Sequence, residues 1–212
     1  MMQMLGQFPE DVGIALSGGV DSMVLLDFLM RGKRNVTIYH FHHGTDHADD
    51  AFDFVHNVSE ALNVPLVLGK LQQEVPDGRS KEDFWREQRY NFLDEHSTEC
   101  PILLAHHLDD VLETWLFSAF HGVPKVVPYA RNRCYRPMLQ VKKEQILEWA
   151  EQKGVAFIQD PSNENTGYMR NKIRHEVVPK VLEVNPGIYK VLAKKVRAYY
   201  NDWVSKSTGV YQ

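Results

Sequence analysis

Ser17-Gly18-Gly19-Val20-Asp21-Ser22 joins an apolar segment, Val12–Leu16, to an amphipathic segment, Ser22–Met30. The periodicity of the two segments predicts a strand followed by a helix. Because glycine has no Cβ, backbone N–H groups in such a turn can approach an anion closely. The helix N-terminus behind the turn adds unpaired donors and a positive dipole end. The sequence therefore predicts a phosphate-binding loop at this junction.

The loop differs from two common nucleotide-binding patterns. It lacks the Gly-Lys-Ser/Thr ending whose lysine reaches the outer phosphates, and it lacks the GxGxxG spacing. Instead, SGGVDS resembles the signature loop of the N-type ATP pyrophosphatases, the PP-loop family. That resemblance implies cleavage of ATP between the α- and β-phosphates and transfer of adenylate to an acceptor. The alternative is an ordinary glycine turn with Ser22 as the helix N-cap.

Apolar runs rich in β-branched residues alternate with segments of helical periodicity. Strands are predicted at Val12–Leu16, Val36–Phe41, Leu66–Leu68, Ile102–Ala105 and Val155–Ile158. Helices are predicted at Ser22–Met30, Ala48–Leu62, Lys81–His96, Asp109–Phe120, Val141–Lys153, Tyr168–Leu182 and Ile188–Lys206. The alternation predicts an α/β fold, a doubly wound, mostly parallel sheet of five strands, with ligands bound beyond the strands' carboxyl ends.

Two parts of the chain are expected to lie outside the regular alternation. Gly122–Arg136 has no clear period and is interpreted as a surface connection. Residues 1–164 are predicted to form the PP-loop ATP pyrophosphatase domain, of the adenine nucleotide alpha hydrolase-like type, and 165–212 a small basic helical extension.

Composition is that of an ordinary globular protein: 212 residues, 43% hydrophobic and 25% charged. No apolar run is long enough to span a bilayer, and the N-terminus lacks the basic flank and cleavage site of a signal peptide. The two cysteines, Cys100 and Cys134, form neither a CxxC pair nor a disulfide framework. This usage is typical of a reducing compartment, so we expect a cytoplasmic protein.

Charge is spread unevenly along the chain, although the formal net charge is −4. From Gly122 to Lys143 there are six Lys/Arg and no acid, and from Asn165 to Lys206 nine Lys/Arg against three acids. An acidic body with two basic segments could hold a polyanion such as RNA along one side. The alternative is a set of solvated helix faces, favoured for the last helix taken alone.

Acidic residues follow the fourth predicted strand, in Leu104-Ala105-His106-His107-Leu108-Asp109-Asp110-Val111-Leu112-Glu113-Thr114. Helical spacing lets Asp109, Asp110 and Glu113 share a face of the first turn. Carboxylates there suit a Mg²⁺ ion held against ATP phosphates. Helix capping by Asp109 or Asp110 is the alternative.

Histidines cluster after the second predicted strand, in Tyr39-His40-Phe41-His42-His43-Gly44. Such density is typical of transition-metal sites, but strand alternation places His40 and His42 on one face and His43 on the other. A closed ligand set is therefore not implied. In an ATP site, Phe41 or the backbone would border the adenine.

Two pairs of arginines have helical spacing. Arg86 and Arg89 lie three apart, with Tyr90 next, and form a fork suited to phosphate. Arg170 and Arg174 stack one turn apart around Ile173, a predicted core anchor. These two are free to pair with Asp160 or to meet phosphate.

The motifs SGGVDS, HFHHG, WREQRY, LAHHLDDVLET, DPSN and RNKIR, in this order, resemble the catalytic domain of the tRNA(Ile)-lysidine synthetase family over roughly residues 13–179. The resemblance implies residues for three roles. ATP would contact Ser17, Gly18, Gly19, Asp21, Ser22, Phe41 and His106. Catalysis would use Asp21, Asp109, Asp110 and Glu113, with Mg²⁺ on Asp21, Asp109 and Asp110. Substrate would contact Arg86, Arg89, Asp160, Asn163, Arg170, Asn171 and Arg174.

The family's reaction joins free lysine to the wobble cytidine of an isoleucine tRNA with a CAU anticodon. The implied steps are adenylation of the cytosine carbonyl oxygen, release of pyrophosphate, and attack by the lysine amine with loss of AMP. An acid of the Asp109, Asp110 and Glu113 group is expected to accept the amine's proton, and spacing does not decide which.

Two departures from the family bear on tRNA binding. The chain ends at Gln212, without room for the further domains that grip tRNA in longer members, so a homodimer or a helper protein is expected to supply that contact. Phe120-His121-Gly122 stands where the family shows Arg-Gly, which predicts an altered contact. The alternatives are a PP-loop enzyme with another acceptor, a metal-dependent phosphohydrolase and a noncatalytic RNA-binding module.

Overall fold

The computed structural model describes residues 2–44, 46–159 and 169–207, apart from the side chains of residues 46 and 47. The strands are β1 (Asp11–Ala15), β2 (Asn35–His42), β3 (Leu66–Lys70), β4 (Ile102–Leu103), β5 (Ala130–Arg131) and β6 (Cys134–Tyr135). The helices are α1 (Val20–Arg31), α2 (Asp46–Leu62), α3 (Lys81–His96), α4 (Leu108–Phe120), α5 (Lys143–Lys153), α6 (Met169–Lys172), α7 (Val178–Val184) and α8 (Ile188–Lys206). A π-helical turn, Ile173–Val177, joins α6 to α7.

The strands form one sheet in the order β3-β2-β1-β4-β6-β5. All neighbouring pairs are parallel except β5 and β6. The chain builds the sheet outward from β1 to β3, and then places β4 on the other side of β1. This reversal leaves a crevice at the carboxyl ends of β1 and β4, where open α/β sheets bind ligands.

The core forms because the central strands are apolar on both faces and the flanking helices cover them. Ile14 in β1, Ile38 in β2 and Leu103 in β4 are fully buried. One core cluster contains these residues together with α1 side chains such as Leu25, and α4 side chains such as Leu112. A second, smaller cluster, which contains Tyr90 and Leu93, packs α3 against the other side of the sheet.

The α/β class and the mostly parallel sheet are confirmed, but the predicted count of five strands is wrong, because the described residues form six. Val155–Ile158 forms no strand. Its backbone is used elsewhere: the N–H of Ile158 donates to the Gly18 carbonyl at 3.0 Å. This segment therefore lies against the glycine loop instead of extending the sheet.

The missed strands lie in the stretch interpreted as a surface connection. Ala130 pairs with Tyr135 and Arg131 with Cys134 in a short hairpin. Cys134 and Tyr135 are buried because β6 also pairs with β4. A strand of two residues is too short to show a hydrophobic period in the sequence. The two strands are therefore recognised only from their pairing in the folded sheet.

The C-terminal helices pack on the same core as the sheet. Ile188, Leu192 and Val196 form the buried stripe of α8, spaced four apart, and belong to the main core cluster. The predicted boundary between 164 and 165 lies outside the described residues, and so does Tyr168. Over the part of the chain that the structure covers, no helix has both the length and the apolar character needed to cross a membrane.

Candidate active site

The glycine loop is built as a strand-to-helix turn, as the sequence predicted. Gly18 has a φ of +84°, which L side chains rarely adopt, and a Cβ there would lie 3.1 Å from Ile158. Gly19, with a φ of −72°, is the N-cap of α1, so the alternative with Ser22 in that place is wrong. No side chain caps α1, which leaves its first N–H groups for water or an anion.

The two serines of the loop hold its shape. The Ser22 hydroxyl donates to the Gly19 carbonyl at 3.0 Å and accepts from the Ser17 backbone N–H at 3.2 Å. The hydroxyls of Ser17 and Ser22 lie 3.1 Å apart. The two serines therefore hold both ends of the turn by hydrogen bonds, and their short side chains leave space for a ligand beside it.

A cavity of about 390 Å³ opens beside the loop, at the carboxyl ends of β1, β2 and β4. It brings together seven of the residues predicted for the site. These are Ser17, Asp21, Ser22, Phe41, Arg89, His106 and Asp110. Gly18, Gly19, Asp109, Glu113, Arg86, Arg170, Asn171 and Arg174 do not line it.

His107 lies at the centre of the acidic group. Its Nε2 is 3.6 Å from an oxygen of Asp21 and 3.6 Å from one of Asp110, and its Nδ1 is 3.5 Å from Asp109. Lys143 Nζ lies 2.5 Å from Asp21 Oδ1. The three carboxylates predicted to hold a metal therefore already surround the His107 ring, and Asp21 also pairs with Lys143.

These contacts shift the pKa values in opposite directions. Burial alone would lower the pKa of His107, but Asp110, Asp109 and Asp21 outweigh it and raise that pKa to about 10. Burial alone would raise the pKa of Asp109, but the nearby His107 ring and the hydrogen bonds from Tyr189 and the Lys143 backbone lower it to about 2. The pKa of Asp21 is lowered because His107 and Lys143 outweigh its burial. The cluster thus contains an imidazolium, His107, beside the ionised carboxylates of Asp21 and Asp109.

The carboxylates of Asp109 and Asp110 accept hydrogen bonds from different parts of the fold. Asp109 accepts from the Lys143 backbone N–H at 2.7 Å and from the Tyr189 hydroxyl at 2.6 Å. Asp110 accepts from the His107 backbone N–H at 2.9 Å, which is the capping role that the sequence left open. Asp110 also lines the cavity, whereas Asp109 ties α4 to α5 and α8.

Glu113 is 3% exposed and bound to an arginine. Arg174 donates to it from Nε at 2.6 Å and from Nη2 at 3.1 Å, and Arg170 Nε lies 3.9 Å away. Burial raises the pKa of Glu113 despite Arg174. The sequence offered Asp160 or phosphate as partners for these arginines, and the described partner is Glu113. Ile173 is buried as predicted.

A group of arginines surrounds Tyr90 near the other end of the cavity. The guanidinium carbons of Arg86, Arg89 and Arg136 lie 5.2, 5.7 and 5.9 Å from the centre of its ring. Arg136, only 2% exposed, donates to the Tyr90 hydroxyl at 2.7 Å. Burial, and then these arginines with Arg170, hold the pKa of His106 well below its usual range. His106 is therefore a neutral imidazole in a positive field.

Three side chains that line the cavity carry a buried polar atom without a hydrogen-bond partner among the described residues. These atoms are His40 Nε2, Arg89 Nε and His106 Nδ1. Buried polar atoms are normally satisfied, so such a concentration in one cavity points to a polar ligand.

The histidine-rich segment does not form a transition-metal site. His40 Nδ1 bonds the Leu16 carbonyl at 2.8 Å, and His42 pairs with Asp49 at 2.8 Å. Both rings face Phe52, as the predicted strand alternation requires. No group of three or more His, Cys, Asp or Glu within the described ranges could hold a metal ion.

Some predicted site residues lie elsewhere, and some site residues were missed. Asp160 and Asn163 lie outside the described residues, and Asn171 is buried. Lys143, Tyr189 and Arg136 were missed because their partners lie 46 or more residues away in sequence. The one signal was the basic stretch from 122 to 143, which contains two of them.

Comparisons with known proteins show which family the chain resembles. The model of a PP-loop domain family matches residues 2–181. A tRNA(Ile)-lysidine synthase from Exiguobacterium sibiricum is 31% identical over 202 residues, which cover 90% of this chain and 48% of that protein. Another from Neisseria meningitidis serogroup B is 34% identical, covering 91% and 48%. The chain thus spans about half the length of these curated relatives.

Among solved structures, the U34-tRNA thiolase NcsA from Methanococcus maripaludis superposes with a TM-score of 0.69. The identity is 16%, and the match covers 90% of this chain and 72% of NcsA. At this identity the likeness shows the fold alone.

Proposed function

Because the chain belongs to the PP-loop domain family, we propose that it uses ATP to adenylate the wobble cytidine of an isoleucine tRNA with a CAU anticodon, and then joins free lysine to that base. One observation carries the proposal: one cavity at the strand ends is lined by Ser17, Asp21 and Ser22 of the SGGVDS loop, by the acid Asp110 and by three side chains with an unsatisfied polar atom. The acceptor is inferred from the relatives, which are tRNA(Ile)-lysidine synthases.

ATP would lie across this cavity with its phosphates at the loop. Ser17, Ser22 and the free N–H groups of α1 support the phosphate end. Phe41 and His106 support the adenosine end, where His40, Arg89 and His106 would gain the partners they lack. The neutral His106 can accept or donate one hydrogen bond there.

Mg²⁺ fits the phosphate end. This ion is usually held by one or two carboxylates together with substrate phosphates, and Asp21 and Asp110 are the carboxylates that line the cavity. We assign Asp21 to it, since Asp21 lies in the first turn of α1 beside the loop. When bound, Mg²⁺ would neutralise phosphate charge.

The chain's own residues then have separate tasks in the two steps. In the first step, the cytosine carbonyl oxygen attacks the α-phosphorus and the bond to pyrophosphate breaks, which the loop favours by holding the polyphosphate. In the second, the lysine amine attacks the carbonyl carbon and AMP departs. Asp110 would accept the amine's proton, because it lines the cavity, whereas Glu113 and Asp109 do not and are bound to Arg174 and to Tyr189.

The tRNA would lie along the basic segments 122–143 and 165–206. Arg170, in the second of these segments, supports this placement, because it raises the positive potential at His106. Arg86 on α3 acts on His106 in the same way. Further tRNA contacts would come from a second copy, a helper protein or sequence corresponding to the rest of the relatives. The proposal places the chain in the cytoplasm, with tRNA, ATP and free lysine.

The test is incubation of the chain with ATP, Mg²⁺, radiolabelled lysine and a CAU-anticodon isoleucine tRNA transcript. We expect label in the tRNA, with AMP and pyrophosphate released in equal amounts. A transcript carrying U in place of the wobble C is the matched substrate control, and it should accept no lysine.

Gly19→Asp is the matched protein control. It places a carboxylate at the mouth of the loop, where a Cβ itself has room, so the variant should fold and lose ATP binding. Release of AMP that does not depend on the wobble base would indicate another PP-loop acceptor. No tRNA-dependent release of AMP and pyrophosphate would contradict the proposal.

A further inference from the structure

The phosphate loop has no lysine of its own, unlike loops that end in Gly-Lys-Ser/Thr. A lysine nonetheless reaches it through the fold. Lys143, the first residue of α5, places Nζ 2.5 Å from Asp21 Oδ1, two residues beyond Gly19. The pair is partly exposed, at 35% and 31%, and Asp21 lines the cavity. The ammonium therefore stands at the phosphate end of the site.

We propose that Lys143 is a phosphate-binding residue of the ATP site and that it contacts the phosphates that leave as pyrophosphate. This rests on the proposed function. Lys143 does not itself line the cavity, but Asp21, which its ammonium contacts, lines it beside the glycine loop, so the ammonium would meet the outer phosphates and leave the adenosine untouched. Its four-carbon stem lets Nζ move from Asp21 to a phosphate oxygen without backbone movement.

The ordinary energetics of α5 and of the ion pair do not account for a lysine at this position. The positive end of a helix dipole disfavours a cation in the first turn, and Lys142 and Lys143 both lie there. A partly exposed Lys–Asp pair contributes little to stability. The backbone N–H of Lys143 meanwhile binds Asp109 at 2.7 Å, which holds the residue at the site. The side chain of Lys143 is thus held where it can bind an anion, although its ion pair contributes little to the stability of the fold.

In the reaction, the bond between the α-phosphorus and the bridging oxygen breaks, and pyrophosphate takes the electron pair. Negative charge grows on the departing group at that moment. An ammonium ion on the outer phosphates would stabilise this charge. Lys143 would thereby supply, from a helix distant in sequence, the cation that other phosphate loops carry within themselves.

The test compares Lys143→Met with wild type in equilibrium binding of ATP and of AMP, each with Mg²⁺ and without tRNA. We expect ATP affinity to fall at least about tenfold and AMP affinity to stay within about twofold, because hydrogen bonds to charged groups are worth about one to two orders of magnitude. Lys143→Arg should retain most of the ATP affinity.

Lys142→Met is the matched control, because Lys142 lies at the same helix end but over the ring of Tyr189, 5.1 Å from its centre. It should bind both nucleotides as wild type does. Circular dichroism melting checks that each variant is folded, and Lys143→Gln replaces the methionine variant if that one is not.

Two results would overturn the inference while leaving the proposed function intact. One is wild-type or tighter ATP binding by folded Lys143→Met, which would make Lys143 only a partner of Asp21. The other is an equal loss of ATP and AMP affinity, which would indicate a distorted cavity. If the wild-type chain binds no ATP, the proposed function fails, and the assignment of Lys143 fails with it.

Discussion

At the scale of single residues, His107 organises the site more than any acid does. The sequence places it beside Asp109 and Asp110, but its contact with Asp21 exists only in the folded protein, across the sheet crevice. The acids raise its pKa, and it in turn lowers the pKa values of Asp21 and Asp109. The cluster therefore contributes to the free energy of unfolding by an amount that depends on pH.

This stabilisation has a definite sign. The folded-state pKa of about 10 lies above the ordinary value of 6.5, so the folded state binds the proton more tightly. The contribution is complete below pH 6.5 and is lost as pH rises to about 10, at about 1.4 kcal/mol per pH unit. We expect wild type to be more stable than His107→Gln at pH 6.5 and the difference to shrink by pH 9.5. Urea unfolding without metal or nucleotide measures it, and a difference independent of pH would contradict the assigned charge.

At the scale of elements, the turn between β1 and α1 depends on its two glycines for different reasons. Gly18 is required by backbone conformation and by the closeness of Ile158 and Phe54. Gly19 is in an ordinary conformation, and a Cβ there would meet only Ser17 Oγ at 3.5 Å. Gly18 is therefore needed for the backbone conformation of the turn, whereas Gly19 leaves space for a ligand at the N-terminus of α1.

The two glycines therefore predict different outcomes for the same substitution. Gly18→Ala should lower the free energy of unfolding by about 1–2 kcal/mol, because an L residue is strained at that φ. Gly19→Ala should stay within about 0.5 kcal/mol of wild type. Urea unfolding of both variants is the measurement. Equal destabilisation would show that the turn is not built as described.

At the scale of the whole molecule, the C-terminal helices and the sheet share one core. Leu192 of α8 is fully buried in the cluster that contains β1 and α4 residues, and Tyr189 bonds Asp109 in the site. The helical extension predicted after residue 164 would then unfold together with the rest of the chain. A substitution that displaces α8 should therefore also disturb the acidic cluster through Tyr189.

Leu192→Ala tests this expectation. Deleting its buried methyl groups should lower stability by about 2–5 kcal/mol, in a single unfolding transition seen equally by tryptophan fluorescence and circular dichroism. Val191→Ala is the matched control on the same helix, 45% exposed, and should change stability by less than about 0.5 kcal/mol. Two separate transitions would show that the extension is an independent unit.

How much was predictable follows from the range of the interactions. Local patterns determined the alternation of strands and helices, the glycine turn, the helix Lys81–His96 and the acids at the start of α4. Each depends on residues within a few positions of one another, so hydrophobic periodicity and capping chemistry report it directly.

Only the tertiary structure decided which groups meet in the crevice. It placed Lys143 on Asp21, Arg174 on Glu113 and Tyr189 on Asp109, over separations of 61 to 122 residues. It also paired β6 with β4 and laid residues 155–158 against the glycine loop. These contacts form because charges and backbone groups buried by folding must find partners, and the packing of distant elements selects which partners are in reach.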